Sequence, residues 1–211
     1  FSGGFKDNSH LSFGFMTGIL RVAQESIFSG LNNIRVNSVL EDSYSEYFGF
    51  TAEEVKKMCA YHGVLDKYEE LCEWYDGYCF GNQEIFNPWS VINYFANKCK
   101  PKAYWVFTSS NEIIGELLEN ATSDVCEHLE ELLSGKPFII PISTDVIYPQ
   151  MKNNPTSIFS FLLMTGYLKV VDCDLPPEME GMYAVALPNK EIASVYKREI
   201  LEKMNTSIPV S

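Results

Sequence analysis

Asn154-Pro-Thr-Ser-Ile-Phe-Ser-Phe-Leu-Leu-Met-Thr-Gly166-Tyr-Leu-Lys-Val-Val171 is the stretch on which the fold turns. It offers an asparagine cap, a proline at the first helical position, an apolar run, a glycine stop and a short β-branched strand from Tyr167 to Val171. Downstream, the loop Asp172 to Glu180 with Pro176-Pro177 leads into a partner strand, Met182 to Leu187. Asn189 then caps a last helix, Lys190 to Met204, amphipathic through Ile192, Val195, Tyr196 and Leu201. Upstream, the pattern predicts a helix opened by Ser109-x-x-Glu112, a helix from Asp124 to Leu133 stopped at Gly135, a strand from Phe138 to Ile142, and a short helix from Asp145 to Met151.

Helix, strand, helix, helix, strand, loop, strand is the order of a winged helix-turn-helix, with Pro155 to Thr165 in the recognition position and Cys173 to Glu180 as the wing. Charge argues against DNA. The helix holds no Lys or Arg and the wing carries Asp172, Asp174, Glu178 and Glu180, whereas positioning on phosphates needs cations. An apolar helix beside an acidic wing reads as a packing and coupling domain.

The amino-terminal half reads as strand, then helices around a hairpin. Leu11 to Leu20 is expected as a buried strand ending at Thr17-Gly18, followed by a helical turn through Glu25 and a loop at Asn32-Asn33. Thr51-x-x-Glu54 is a capping box for a helix with Val55, Met58 and Cys59 inward and Gly63 as its stop. Asp66-x-x-Glu69 starts another, ending near Trp74. Tyr75 to Phe86 reads as a hairpin turning at Gly81-Asn82, and Asn87-Pro88 opens a helix whose buried stripe is Trp89, Ile92 and Phe95. The fold class expected is α+β and predominantly helical.

The 211 residues suffice for one large domain or two small ones, and 46% hydrophobic with 21% charged residues excludes disorder. A net charge of -12 repels nucleic acid and anionic lipid. The apolar stretch Ile158 to Val171 is interrupted by Ser160, Thr165, Gly166 and Lys169, short of the roughly 18 to 20 residues of a membrane span. No membrane contact and a cytoplasmic location are expected. Cys59, Cys72, Cys79, Cys99, Cys126 and Cys173 form no C-x-x-C pair and read as reduced core residues. His10, His62 and His128 lack ligand spacing, so no metal site is expected.

The chain holds no G-x-x-x-x-G-K-[ST], no dinucleotide fingerprint and no nucleophile elbow. Glu54-Val-Lys56 matches half of a metal-dependent nuclease motif, but Glu54 belongs to the capping box. Asp76 between Tyr75 and Tyr78 could take a hydroxyl proton while aromatic rings stack a sugar or base. Thr17 and Arg21, at the carboxyl end of the first strand, occupy the position where α/β sheets place ligand contacts and could act on a terminal phosphate as sensors.

Phe15-Met-Thr-Gly-Ile-Leu-Arg-Val-Ala-Gln-Glu-Ser-Ile-Phe-Ser-Gly-Leu-Asn-Asn33, Tyr47-Phe-Gly-Phe-Thr51, Trp74-Tyr-Asp-Gly-Tyr78 with Asn87-Pro-Trp-Ser90, Thr108-Ser-Ser-Asn111, and Thr165-Gly-Tyr-Leu-Lys169 with Leu187-Pro-Asn-Lys-Glu191 together resemble the AAA-ATPase-like proteins of anaerobic gut bacteria. The resemblance implies a signal-transducing P-loop ATPase with Walker A and Walker B in an amino-terminal half, often followed by a PD-(D/E)xK nuclease domain. This chain would be the part between them: residues 1–35 as the last core strand with sensor-like Thr17 and Arg21, 36–108 as a helical region with the hairpin, 109–188 as the winged-helix-like part, and 189–211 as a helix leading to a downstream domain. The implied cofactors are ATP and Mg in the full-length protein and none in this chain alone. The implied partners are the missing P-loop half and a nuclease-like domain. Cys79 stands where the family usually has arginine. Two other classes compete: an acidic interaction module without a nucleotide role, and a carbohydrate-binding domain built on Tyr75, Asp76 and Tyr78.

Overall fold

The computed structural model describes residues 8–18, 35–105, 122–144, 154–171 and 175–206, the last six as backbone. Arg21, Cys173 and the expected helices at Ser109 and Asp145 lie outside the described residues. Within them the architecture is α+β, with six α-helices and two small antiparallel sheets.

The first unit begins with α1 (Ala52–Tyr61), whose capping box closes as expected: Thr51 Oγ1 accepts from the Glu54 N–H, and Glu54 Oε2 accepts from the Thr51 N–H at 2.9 Å. The next helix, α2 (Tyr68–Tyr75), corrects the expected start at Asp66. A 3-10 turn over Leu65–Lys67 precedes it and the Tyr68 N–H donates to Leu65 O, so backbone replaces the carboxylate cap. The hairpin is present as β1 (Tyr78–Phe80) and β2 (Gln83–Ile85), with Tyr78 opposite Ile85. Its turn is seated on the preceding loop, where Asp42 Oδ1 accepts from the Asn82 N–H at 2.8 Å.

Asn87 caps α3 (Pro88–Ala96) through its side chain, but the buried stripe is turned from the expected one. Trp89 and Ile92 are 50% and 54% exposed, while Ser90, Val91 and Tyr94 are sealed. Serine wins the inward position because its hydroxyl has a buried carboxylate to bond, a partner that apolar periodicity does not register. Val55, Cys59, Leu71, Tyr75, Phe86, Val91, Tyr94 and Cys99 make the first core.

The second unit comprises α4 (Ser123–Leu133), β3 (Phe138–Pro141), α5 (Pro155–Met164), β4 (Lys169–Val170), β5 (Met182–Ala186) and α6 (Lys190–Thr206). Its sheet order is β3-β5-β4, all antiparallel, with Phe138 opposite Val185 and Val170 opposite the same residue on the other edge. Every residue from Ile158 to Leu163 is buried, as an all-round apolar helix requires, leaving those six residues no face for a nucleic-acid groove. Ile192, Val195 and Tyr196 of α6 complete this core, so the last helix packs as part of the second unit.

The expected strand at Leu11 to Leu20 is corrected over its described part. Residues 11 to 18 pair with no neighbouring strand and are exposed, with Phe13 76% and Phe15 57% accessible. Alternating hydrophobicity creates a strand only where a partner supplies the ladder. Phe15 instead packs beside Phe48 and Tyr44, with ring centroids 6.4 and 6.3 Å apart.

Candidate functional site

The two cores meet where three motif stretches converge: Trp74 to Tyr78, Thr165 to Lys169, and Leu187 to Glu191. Helix α2 ends at Tyr75 because Asp76 turns to extended backbone, its N–H still donating to Cys72 O. Asp76 O then accepts from Asn189 Nδ2 at 2.9 Å, across 113 residues of sequence. Asn189 also caps α6, its Oδ1 accepting from the Ile192 N–H at 3.0 Å, so one side chain starts a helix and fastens it to the other unit. Gly77, at φ +101°, passes so close that a Cβ would stand 2.2 Å from Pro188 O. The Tyr78 ring lies under Gly166, and an exposed Lys190–Glu73 ion pair rims the contact.

Asp76 is half-buried within this junction. Burial raises its carboxyl above the ordinary range and Glu84 adds to that, while the Gly77 N–H, 2.6 Å from Oδ1, and the Lys169 ammonium pull it down.

Glu191 sits deeper. It is fully buried in the first turn of α6, and its two oxygens bond two different segments of the chain. The Ser90 hydroxyl of α3 donates to Oε2 at 2.8 Å, and the Trp105 N–H donates to Oε1 at 2.8 Å. Residues 104 and 105 straddle the junction. Tyr104 packs on Tyr75 of the first core, with centroids 6.2 Å apart, and Trp105 on Tyr167 of the second at 5.1 Å. Burial pushes the Glu191 carboxyl up to about 7 despite the donors that favour its charge.

The site residues expected from sequence divide. Tyr75, Asp76 and Tyr78 come together at the junction, but Tyr75 is inaccessible and Tyr78 only 8% exposed, so neither ring presents a face for sugar stacking. The Tyr75 hydroxyl is occupied, accepting from the Lys102 N–H and donating to Lys102 O, both at 3.0 Å. Thr17 is exposed in the segment without strand pairing, and Arg21 is outside the described residues. Sequence reasoning missed Glu191, Ser90, Asn189 and Gly77 as a group. Their signal lay in the motifs Asn87-Pro-Trp-Ser90 and Leu187-Pro-Asn-Lys-Glu191, but an acid in a helix's first turn ordinarily reads as a solvated dipole partner.

Among the described residues, no three His, Cys, Asp or Glu side chains are grouped to hold a metal ion, and no helix is long and apolar enough to cross a membrane. Cys59 and Cys99 are buried as expected, whereas Cys126 is exposed on α4, a correction to its reading as a core residue. An exposed position among Glu127 and Glu130 gives that thiol no core to join.

Across 195 residues the chain is 24% identical to the uncharacterized protein in the vnfD 5' region of Azotobacter chroococcum mcd 1, covering 92% of this chain. The chain spans 35% of that relative's length. No family model and no solved structure matches.

Proposed function

We propose that the chain is the coupling part of an AAA-ATPase-like protein, transmitting the state of an ATP site on a P-loop half to a downstream effector. The observation that carries this reading is the convergence at the junction. The stretches 74–78, 87–90, 165–169 and 187–191, which bear much of the family resemblance, touch one another between two separate cores. These stretches lie at the contact between the two cores, the place where a shift of one unit against the other would be felt. A winged-helix identity for the second unit has support in the β3-β5-β4 antiparallel order with α5 leading into β4. Burial of Ile158 to Leu163 favours its use in packing over nucleic-acid reading.

The described residues do not fit Mg-ATP themselves. The caps of α1, α3 and α6, Thr51, Asn87 and Asn189, direct their side chains to their own helix's N–H groups, no glycine-rich cradle precedes them, and no acid cluster faces a cation. No catalytic step is therefore assigned to this chain, and ATP and Mg belong to the proposed P-loop half. Thr17 and Arg21 remain its sensor candidates.

A second reading, an acidic interaction module, is favoured by the exposed aromatics Phe13, Phe15, Tyr47 and Phe48. Titration of Mg-ATP separates the two. The coupling reading expects no turnover by the 211-residue chain, turnover by the complete gene product, and slower hydrolysis with little loss of binding in Arg21→Ala of that product. A complete gene product that neither binds nor hydrolyses ATP leaves the interaction module standing.

A further inference from the structure

We propose that Glu191 is a latch whose ionisation controls the grip between the two cores: uncharged, it holds α3 and the Tyr104-Trp105 segment against α6, and ionised it loosens them. The proposal deepens the coupling reading and rests on it for its use in the full protein.

Geometry makes the case. A single carboxyl group with no solvent access joins Ser90, 101 residues away, and the Trp105 backbone, 86 residues away, to the start of the last helix. The groups facing it are neutral. From α2, β1 and the segment after α3 they are the phenols of Tyr75, Tyr78 and Tyr104, which burial and the nearby Glu191 charge keep protonated. From α3 it is the Ser90 hydroxyl. Among the described residues no ammonium or guanidinium helps to hold a charge there. A charge so placed is stabilised by hydrogen bonds and the helix terminus alone, and opening the junction to water relieves it. The uncharged acid keeps both contacts: its carbonyl oxygen accepts from the Trp105 N–H while its hydroxyl donates to Ser90 Oγ.

The sign follows from the raised carboxyl. An opened junction exposes Glu191 to water, where it ionises near the ordinary 4.5, whereas the closed one resists until about 7. Closure is therefore tightest in acid and weakens as pH rises through 7. The Lys190–Glu73 ion pair lies at the exposed rim, outside the buried Glu191 site.

The test is amide hydrogen exchange at Trp105 and Ile192 in the 211-residue chain, corrected for intrinsic rates. Protection is expected to fall roughly 30-fold between pH 5.5 and 8.5 in the native sequence. Glu191→Gln, an uncharged isostere with an acceptor for Trp105 and a donor for Ser90, should stay protected with no such slope. Ser90→Ala should lose protection at every pH while keeping the slope. A flat native profile, or an unchanged slope in Glu191→Gln, overturns the latch. A slope removed by Glu191→Gln, with an unaltered ATP response in the complete gene product, supports the latch and sinks the coupling reading instead.

Discussion

Replacing Gly77 by alanine attacks the junction at its closest approach and needs no charge chemistry to interpret. Two costs are expected. The backbone at φ +101° lies where a Cβ is strained, costing roughly 1 to 2 kcal/mol. The new methyl would also stand 2.2 Å from Pro188 O and 3.1 Å from Lys169 Nζ, and a carbonyl cannot yield as a flexible side chain can. Forcing the segments apart adds about 1 to 3 kcal/mol. Gly63 and Gly135 supply the control, since both have positive φ, +68° and +79°, with open space around the missing Cβ. Alanine at either should cost only the backbone component, on the order of 1 kcal/mol. Urea unfolding monitored by tryptophan fluorescence gives the three midpoints. Gly77→Ala should be the most destabilised by at least about 1 kcal/mol, with exchange rising at Asp76 to Tyr78 and at Asn189 to Ile192. A Gly77→Ala chain no less stable than Gly63→Ala would refute the close approach and, with it, the position of the two cores.

Further expectations concern charge, thiols and the second core. The native chain should lose about 2 kcal/mol of unfolding free energy between pH 5 and pH 8 relative to Glu191→Gln, because the folded state keeps a proton that the unfolded state releases; urea midpoints across pH measure it. Under native conditions a thiol reagent should label Cys126 quickly and Cys59 only on unfolding, by mass mapping, since the first is exposed and burial raises the second's thiol. Phe159→Ala should destabilise by about 3 to 5 kcal/mol in chemical denaturation, because its inaccessible ring packs edge-on against Phe138 at 4.9 Å.

Local signals in the sequence carried well into the structure, and long-range ones did not. Caps at Thr51, Asn87, Asn154 and Asn189, the Gly81-Asn82 turn and the strands around Ile140, Val170 and Val185 are set by nearest neighbours, so periodicity and turn chemistry suffice to place them. The α3 stripe was misplaced because Ser90 is buried for a partner 101 residues away. The strand expected at Leu11 failed over its described residues because its ladder partner is absent from them. Asp76 has aromatic neighbours in the sequence, yet what surrounds it in space is another part of the chain, Pro188 to Asn189 and Lys169, rather than a ligand face. Glu191 was invisible because two unlike environments share one sequence pattern: a solvated acid in a first helical turn and a buried one look the same until α3 and Trp105 are folded over it.

Hydrogen exchange of the complete gene product with and without Mg-ATP bears most directly on the coupling role. The expected result is a nucleotide-dependent change in protection at Asp76 to Tyr78, Trp105 and Asn189 to Ile192, with the interiors of both cores unchanged. Nucleotide protection confined to the proposed P-loop half, or none at all, with these junction amides exchanging at the same rate in both states, would contradict it.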